Sequence, residues 1–170
     1  MRKVVTFIGG SHSKEEAAAV EEVMLRAGFE GPCEPVIRAQ GEGIGIIVIQ
    51  VSVGIFLQPF LQPIADGAAD RLKRFFWELH EKTRWGREAR LRQIYIRPDA
   101  VGDEEWERSG RRGRMPGWRK ESPTEPEIVL SSLMPDEAWE ALAKLDVDSL
   151  EGGGSYSWSD EDRCWRRSGG

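Results

Sequence analysis

The hydrophobic residues of this chain are concentrated in one uncharged stretch between Glu42 and Asp66, GIGIIVIQVSVGIFLQPFLQPIA. Its first half is dense in β-branched residues over residues 46–53. This composition predicts a strand, and the continuous apolar start predicts that both faces of the strand are covered. The second half repeats four residues, FLQPFLQP, and reaches Pro63, which predicts the approach to a helix whose first turn contains this proline.

Membrane association through residues 43–65 is an alternative, because a spanning helix needs about 20 predominantly apolar residues and the stretch is long enough. Four polar residues interrupt the stretch: Gln50, Ser52, Gln58 and Gln62. Pro59 and Pro63 each remove a backbone hydrogen-bond donor from a helix. We therefore favour a core segment of a soluble domain over a membrane helix.

Periodicity predicts further elements on both sides of this stretch. Strands are expected at residues 3–8, 35–39, 91–97 and 127–131, and a terminal hairpin is expected at 156–165. Helices are expected at residues 14–27, 63–82 and 135–145. Because only a few glycine-rich residues separate the strand at 35–39 from the strand at 46–53, we expect these two strands to form an antiparallel hairpin.

The resulting order, β-α-β-β-α-β, predicts an α+β fold: a ferredoxin-like split βαβ sandwich with a C-terminal helix and hairpin extension. We expect the ferredoxin-like core to occupy residues 1–97. A charged loop rich in glycine and arginine is expected at residues 98–126, because that segment has no helical or strand period. Residues 127–170 then form the extension of strand, helix and hairpin.

The charge balance and the cysteines narrow the class of protein. The net charge of −5 argues against general affinity for nucleic acid. Cys33 and Cys164 have no CxxC spacing, and the N-terminus begins a strand rather than a signal peptide. We therefore expect a cytoplasmic protein. We expect no cofactor and no metal site, because the acidic turn at residues 160–162 lacks the ligand set of a calcium loop.

The segment GGSHS follows the first predicted strand and is the best candidate for chemistry: Gly9, Gly10, Ser11, His12 and Ser13. Glycines let the backbone approach a ligand, and the free N–H groups of a following helix attract anions such as phosphate. A small nucleotide- or phosphate-binding enzyme is therefore an alternative function. The segment lacks a dinucleotide-binding or Walker spacing, however, and Ser13 is explained as a helix cap. We favour an ordinary strand-to-helix turn with no catalytic residue.

Two groups of residues are candidates for contact with a partner. One is the aromatic group in and after the long predicted helix: Trp77, Trp85 and Tyr95. The other is the arginine-rich part of the charged loop: Arg111, Arg112, Arg114 and Trp118. Arginines around an aromatic residue are typical of segments that contact single-stranded nucleic acid, but the acidic sequence GDEEWE directly precedes them. We therefore expect a protein partner rather than nucleic acid, and an edge strand as the surface for a homo-oligomer or a complex.

The succession of KVVTFI, the helix SKEEAAAVEEVMLRAGF, the strand PVIRA, an apolar segment leading into DRLKRFFWELH, and LRQIYIR resembles the effector-associated constant components of bacterial conflict systems. The resemblance covers roughly the first 100 residues and rests on element order and composition. It implies a small non-enzymatic module that sits beside an effector such as a peptidase, with a role in antiviral defence. Together with the scattered titratable residues, it predicts an adaptor or regulatory module that binds another protein.

Overall fold

The structure is a computed structural model, and it describes residues 2–9, 14–36, 44–61, 66–83, 89–98, 125–150 and 152–168. The strands in these ranges are β1 (Arg2–Lys3), β2 (Val5–Gly9), β3 (Phe29–Glu30), β4 (Cys33–Val36), β5 (Ile44–Gln50), β6 (Leu91–Ile96), β7 (Glu127–Ser131), β8 (Ser155–Ser159) and β9 (Cys164–Arg167). The helices are α1 (Lys14–Arg26), α2 (Val53–Leu61), α3 (Ala68–Glu81) and α4 (Asp136–Ala143), and a short 3₁₀ helix lies at Val147–Ser149.

The described strands form a seven-stranded mixed sheet in the order β4-β2-β5-β6-β7-β8-β9, and β1 pairs with β3 beside it. The pairs β2–β4, β5–β6 and β7–β8 are parallel, and the ladders between these pairs are antiparallel. A helical crossover joins the strands of each parallel pair: α1 in the first, α2 and α3 in the second, and α4 in the third. The four described helices pack on the same face of the sheet, where their buried residues share one hydrophobic cluster.

The protein therefore has an α+β fold. The hairpin predicted between the strands at residues 35–39 and 46–53, however, is wrong. β4 and β5 do not pair, because β2 lies between them. After α1 the chain returns as β4 to lie parallel to β2, and β5 takes the other edge of β2. The 13 residues of α1 are long enough for a parallel crossover, which needs a connection of about a dozen residues or more. The ferredoxin-like topology, in which these two strands are neighbours, is not confirmed.

The central apolar stretch divides into a strand and a short helix. β5 is buried on both faces, as expected, with Ile46 and Val48 on one side and Ile47 and Ile49 on the other. The strand ends at Gln50, which is earlier than predicted. The repeat FLQPFLQP was expected to precede a helix. This prediction is wrong for the described part of the repeat, because its residues up to Leu61 lie inside α2.

An aromatic cluster explains why this repeat is helical. A period of four residues places Phe56 and Phe60 on one face of α2. Both rings pack with Phe29 and Phe75, and the ring centroids lie between 5.1 and 6.4 Å apart. This burial offsets the cost of Pro59, which removes one hydrogen bond inside α2. None of the helices in the described ranges has both the length and the apolar character that crossing a membrane requires.

The remaining helices agree with the periodicity. Gly28 follows α1 with φ of 93°, and the next residue, Phe29, is fully buried. α3 buries the expected stripe, including Leu72 and Phe76. Trp139 of α4 packs edge-on against Phe76 with 5.4 Å between the ring centroids. β7, β8 and β9 continue the sheet of the first 97 residues, so the C-terminal strands and α4 share its hydrophobic core.

Candidate functional site

A cleft of about 800 Å³ opens where β5 and β6 end and α2 begins. The carboxyl end of a parallel strand pair, beside the start of the crossover helix, is where α/β sheets commonly bind ligands. The start of β2 and the small β1–β3 pair close the cleft on the other side. Its lining residues are Lys3, Val4, Val5, Glu30, Gly31, Pro32, Gln50, Val51, Ser52, Ile55 and Pro98.

Lys3 presents its backbone groups to this cleft. The N–H groups of Arg2 and Val4 donate to the carbonyl oxygens of Gly28 and Glu30, at 3.1 and 2.9 Å, so these two residues face β3. Because backbone groups alternate sides along a strand, the N–H and C=O of Lys3 point the opposite way. On that side β5 has already ended, since Gln50 pairs with Val5. Lys3 pairs with β3 on one side, and no described strand pairs with it on the side that faces the cleft.

The floor of the cleft is apolar. Val4 and Val51 are only 5% and 7% exposed, and they belong to the main hydrophobic cluster. Above them Ile55, on the first turn of α2, is 42% exposed, which is unusual for a large hydrophobic side chain in the described ranges. Pro32 and Pro98 add apolar wall on either side. An apolar side chain from outside would therefore find a preformed surface here.

Several hydrogen-bonding groups surround this floor. Ser52 caps α2, because its carbonyl oxygen accepts the N–H of Phe56 at 2.9 Å. The N–H groups of residues 53–55 therefore have no partner within the helix, and the first turn of α2 contains no acidic residue. Neither the Gln50 amide nor the Ser52 hydroxyl hydrogen-bonds to another described residue. Lys3 and Glu30 lie opposite each other at the rim, so its charges balance.

The arrangement suits the binding of a ligand. A few polar groups around an apolar floor orient a ligand and satisfy its hydrogen bonds. Among the described residues that line the cleft, Glu30 supplies a carboxylate and Ser52 a hydroxyl. Both an extended backbone and a large apolar side chain would be matched by this combination of a strand edge and a hydrophobic floor.

The described ionisable groups with large pKa shifts are buried, and none of them lines the cleft. Burial lowers the pKa of His80 to about 3, and the charge of Arg92 acts in the same direction. Both ring nitrogens of His80 are buried, and neither hydrogen-bonds to another described residue. Burial raises the pKa of the Cys33 thiol to about 12, with Glu21 and Glu34 adding to the shift. These two side chains are therefore neutral near pH 7 and closed to solvent.

Of the predicted anion-binding residues, the structure describes only Gly9. Gly9 is the buried last residue of β2 and lies opposite Val36. Gly10, Ser11, His12 and Ser13 lie outside the described residues, as do Trp85, Arg111, Arg112, Arg114 and Trp118. The anion site and the arginine-rich surface therefore stay predictions.

The structure separates the two predicted aromatic contact residues that it describes. Trp77 is half-buried on the helix side of the sheet, and the guanidinium carbon of Arg92 lies 5.0 Å from its ring centroid. Tyr95 lies on the opposite face, where its hydroxyl donates to Gln93 Oε1 at 2.8 Å. Burial, together with the charge of Glu127, raises the pKa of Tyr95 to about 12. Trp77 and Tyr95 therefore cannot form one contact surface.

Sequence reasoning missed the residues that build the cleft. Gln50 and Ser52 were visible as polar interruptions of the apolar stretch, and they mark the end of β5 and the start of α2. Lys3 and Ile55 carried no such signal, because their role depends on where β5 ends relative to β1. Among the described residues no group of three or more His, Cys, Asp or Glu side chains is arranged to hold a metal ion.

Comparison with known proteins adds no relative. No protein family, no curated protein and no solved structure matches this chain.

Proposed function

We propose that this protein is a non-enzymatic interaction module that binds an extended segment of another protein in the cleft. The observation that carries the proposal is the strand edge of Lys3 beside an apolar floor. A bound segment would pair its backbone with the N–H and C=O of Lys3, as in strand addition. One of its apolar side chains would lie on Val4, Val51 and Ile55.

The resemblance of the first 100 residues or so to effector-associated constant components supports the same class of function. In that setting the bound segment would belong to the effector, and this chain would act as its adaptor or regulator in a bacterial defence system. The neutral rim formed by Lys3 and Glu30 favours a partner segment that is recognised by backbone pairing and an apolar side chain rather than by net charge.

Selection from a random peptide library displayed on phage tests the proposal with the whole chain as bait. We expect enriched peptides to share a large apolar residue, and we expect Ile55→Asp to weaken their binding at least about ten-fold by placing a charge on the floor. Lys3→Pro removes the N–H that faces the cleft together with the lysine charge at the rim, and proline is tolerated where a strand edge needs no donor. This variant should also weaken binding.

Leu133→Asp is the matched control, because Leu133 is 74% exposed and does not line the cleft. Its affinity for the selected peptides should equal that of the wild type. Peptides that bind Ile55→Asp and Lys3→Pro as tightly as the wild type would contradict the cleft as the binding site. A library that yields no peptide above background would contradict the function itself.

A further inference from the structure

The two edges of the seven-stranded sheet are built differently. At the β4 edge, Pro32 faces β2, because its carbonyl oxygen accepts the N–H of Thr6 at 3.0 Å. Cys33 therefore points outward, and its N–H donates to Glu21 Oε1 of α1 at 2.8 Å. Pro35, the next outward residue, has no N–H. The β4 edge thus has no free donor at these two positions, which protects it against pairing with another chain.

The β9 edge leaves one residue with both outward backbone groups unpaired. The N–H of Ser168 donates to the carbonyl oxygen of Ser155 at 2.6 Å, so these two residues form a bonded pair between β8 and β9. Bonded and non-bonded pairs alternate along an antiparallel ladder, so Trp158 and Trp165 form a non-bonded pair. The N–H and C=O of Trp165 therefore point away from β8, and neither hydrogen-bonds to another described residue.

The side chain of Trp165 anchors the strand without covering this edge. Its ring packs on the helix face, where Nε1 donates to the carbonyl oxygen of Ala138 at 3.3 Å. The ring also meets that of Trp158 edge-on, with 6.1 Å between the centroids. Cys164 and Arg166 are exposed on the other face. A strand that approaches from outside therefore finds a fixed backbone, with an aromatic ring on one face and a charge on the other.

A second copy of β9 can pair with this edge only in registers that set outward residues opposite outward residues. A two-fold axis centred on Arg166 or Arg167 places that arginine directly opposite itself, which destabilises a strand pair. An axis centred on Cys164 requires the backbone of Arg163 to continue the ladder, but Arg163 lies in the turn before β9 with φ of 52°. The register centred on Trp165 has neither fault.

The charges on the exposed face are compatible with the register centred on Trp165. Arg166 of each copy then lies opposite Cys164 of the partner subunit, and it lies diagonal to Asp162 of the partner subunit. Within one chain, Asp162 Oδ2 lies 2.6 Å from Arg166 Nη1, and Oδ1 accepts no hydrogen bond from another described residue. Diagonal neighbours are within reach of long side chains. Each Asp162 can therefore attract the incoming arginine as well as its own.

The other two arginines of this region are held within their own chain. In this register, Arg167 faces Arg163 of the partner subunit, which lies outside β9. Arg163 is ion-paired with Glu137, with 2.6 Å between Nη2 and Oε2. The Arg167 side chain lies over Gly154. The pairing therefore requires neither side chain to leave its present contacts.

We propose that the outer edge of β9 pairs with the same edge of a second copy of this chain, antiparallel and centred on Trp165. The two Trp165 residues exchange N–H to C=O hydrogen bonds, and their rings form a cross-strand aromatic pair beside Trp158. The pairing joins two sheets into one and gives the dimer two clefts, so a partner with two suitable segments would bind bivalently. The inference does not depend on the proposed function, because no residue of β9 lines the cleft.

Analytical ultracentrifugation of the whole chain tests the inference. Because β9 has only four residues, we expect a weak dimer whose fraction rises as the protein concentration increases from about 5 µM to about 1 mM. Over the same range, hydrogen exchange of the Trp165 amide should slow, because backbone pairing protects it. A monomer at every concentration, or a dimer in which this amide exchanges as it does in the monomer, would overturn the inference.

Two substitutions of the exposed Cys164 test the register with opposite signs, and circular dichroism reports whether each variant keeps the fold. Cys164→Asp places a negative charge opposite Arg166 of the partner subunit, twice in each dimer, and should tighten dimerisation at least about three-fold. Cys164→Lys places like charges there and should weaken dimerisation by a similar factor. Weakening by both substitutions would centre the axis on Cys164, and no effect of either would separate position 164 from Arg166. Each of these two outcomes overturns the proposed register.

The cleft variant Ile55→Asp separates this inference from the proposed function. It should dimerise as the wild type does, because Ile55 lines the cleft and lies outside β9. Unchanged dimerisation with loss of the phage-selected peptides would support two separate surfaces. Loss of dimerisation in this variant would place the contact between copies at the cleft and overturn only the present inference.

Discussion

Arg97 and Glu127 form an ion pair in the interior, with 2.7 Å between Nε and Oε2 and side-chain exposures of 4% and 7%. The pair links the end of β6 to the start of β7 on the sheet face opposite the helices. The contact between Nε and Oε2 is ionic, because its geometry is not that of a hydrogen bond. Ser155 adds a hydrogen bond from its hydroxyl to Glu127 Oε1 at 2.9 Å. Burial raises the pKa of Glu127, and Arg97 opposes that shift.

Breaking this ion pair should strongly destabilise the protein. Glu127→Gln keeps an acceptor for Ser155 but removes the negative charge that faces the buried Arg97, and breaking a buried ion pair typically costs about 3–5 kcal/mol. Urea unfolding followed by circular dichroism measures the loss. Replacing both partners, Arg97→Met with Glu127→Leu, should recover most of it, because no charge remains buried. As a control, Lys73→Met removes an exposed pair with Asp136 and should cost less than about 1 kcal/mol.

His80 should make stability fall with acid. Its folded pKa of about 3 lies below the ordinary 6.5, so between these values the unfolded chain binds more protons than the folded one. The contribution of His80 is complete above about pH 6.5 and is lost as the pH falls. At pH 5 the loss should be about 2 kcal/mol. His80→Phe should reduce the difference in unfolding free energy between pH 7.5 and pH 5 by that amount. An unchanged difference would show that His80 is protonated in the folded protein.

Gly31 should not tolerate a side chain. Its φ is 148°, and an added Cβ would lie 1.7 Å from the carbonyl oxygen of Val4. Gly31→Ala should therefore separate β1 from β3 and destabilise the chain by more than about 2 kcal/mol. Gly152→Ala is the matched control, because no atom lies within 4 Å of the Cβ that it would add. Thermal unfolding of both variants distinguishes the local clash from a general effect of losing glycine.

The two cysteines should react at very different rates with a thiol reagent such as 5,5′-dithiobis(2-nitrobenzoic acid). Cys164 is exposed and free, whereas Cys33 is free but buried. The pKa of Cys33, raised to about 12, leaves almost no thiolate near pH 8, and the thiolate is the reactive form. We expect one equivalent to react quickly in the native protein and a second only in urea. Cys164→Ser should abolish the fast phase and leave the slow one.

The elements that sequence analysis placed correctly are those with strong local signals. The apolar stripe of Leu72, Phe76 and Leu79 predicted α3, and the glycine at residue 28 predicted the end of α1. The repeat FLQPFLQP had the spacing of a helix face, but its prolines were given more weight. Burial of Phe56 and Phe60 in the aromatic cluster outweighs the hydrogen bond that Pro59 removes.

The topology could not be predicted from local signals, because it depends on which edge of β2 each strand takes. The crossovers are also not all of one hand. β2 and β5 are antiparallel, and their crossovers lead in opposite directions across the sheet, to β4 and to β6. The two crossovers therefore have the same handedness. β7 runs in the same direction as β2, but its crossover leads across the sheet in the same direction as the crossover after β5. Because α4 packs on the same face as the other described helices, this crossover has the opposite handedness. About 98% of such connections are right-handed, so this rule would have placed the helices of at least one crossover on the wrong face.

From β5 onward, the order of strands across the sheet repeats their order along the chain. During synthesis on the ribosome, each of these strands emerges when the neighbour that it pairs with has already been made. β2, α1 and β4 are complete before β5 appears, so the sheet can grow from one side as the N-terminal part folds first. The growing edge is therefore always the strand made last. Nascent chains on neighbouring ribosomes would be most exposed to mispairing at that moving edge, until β9 emerges.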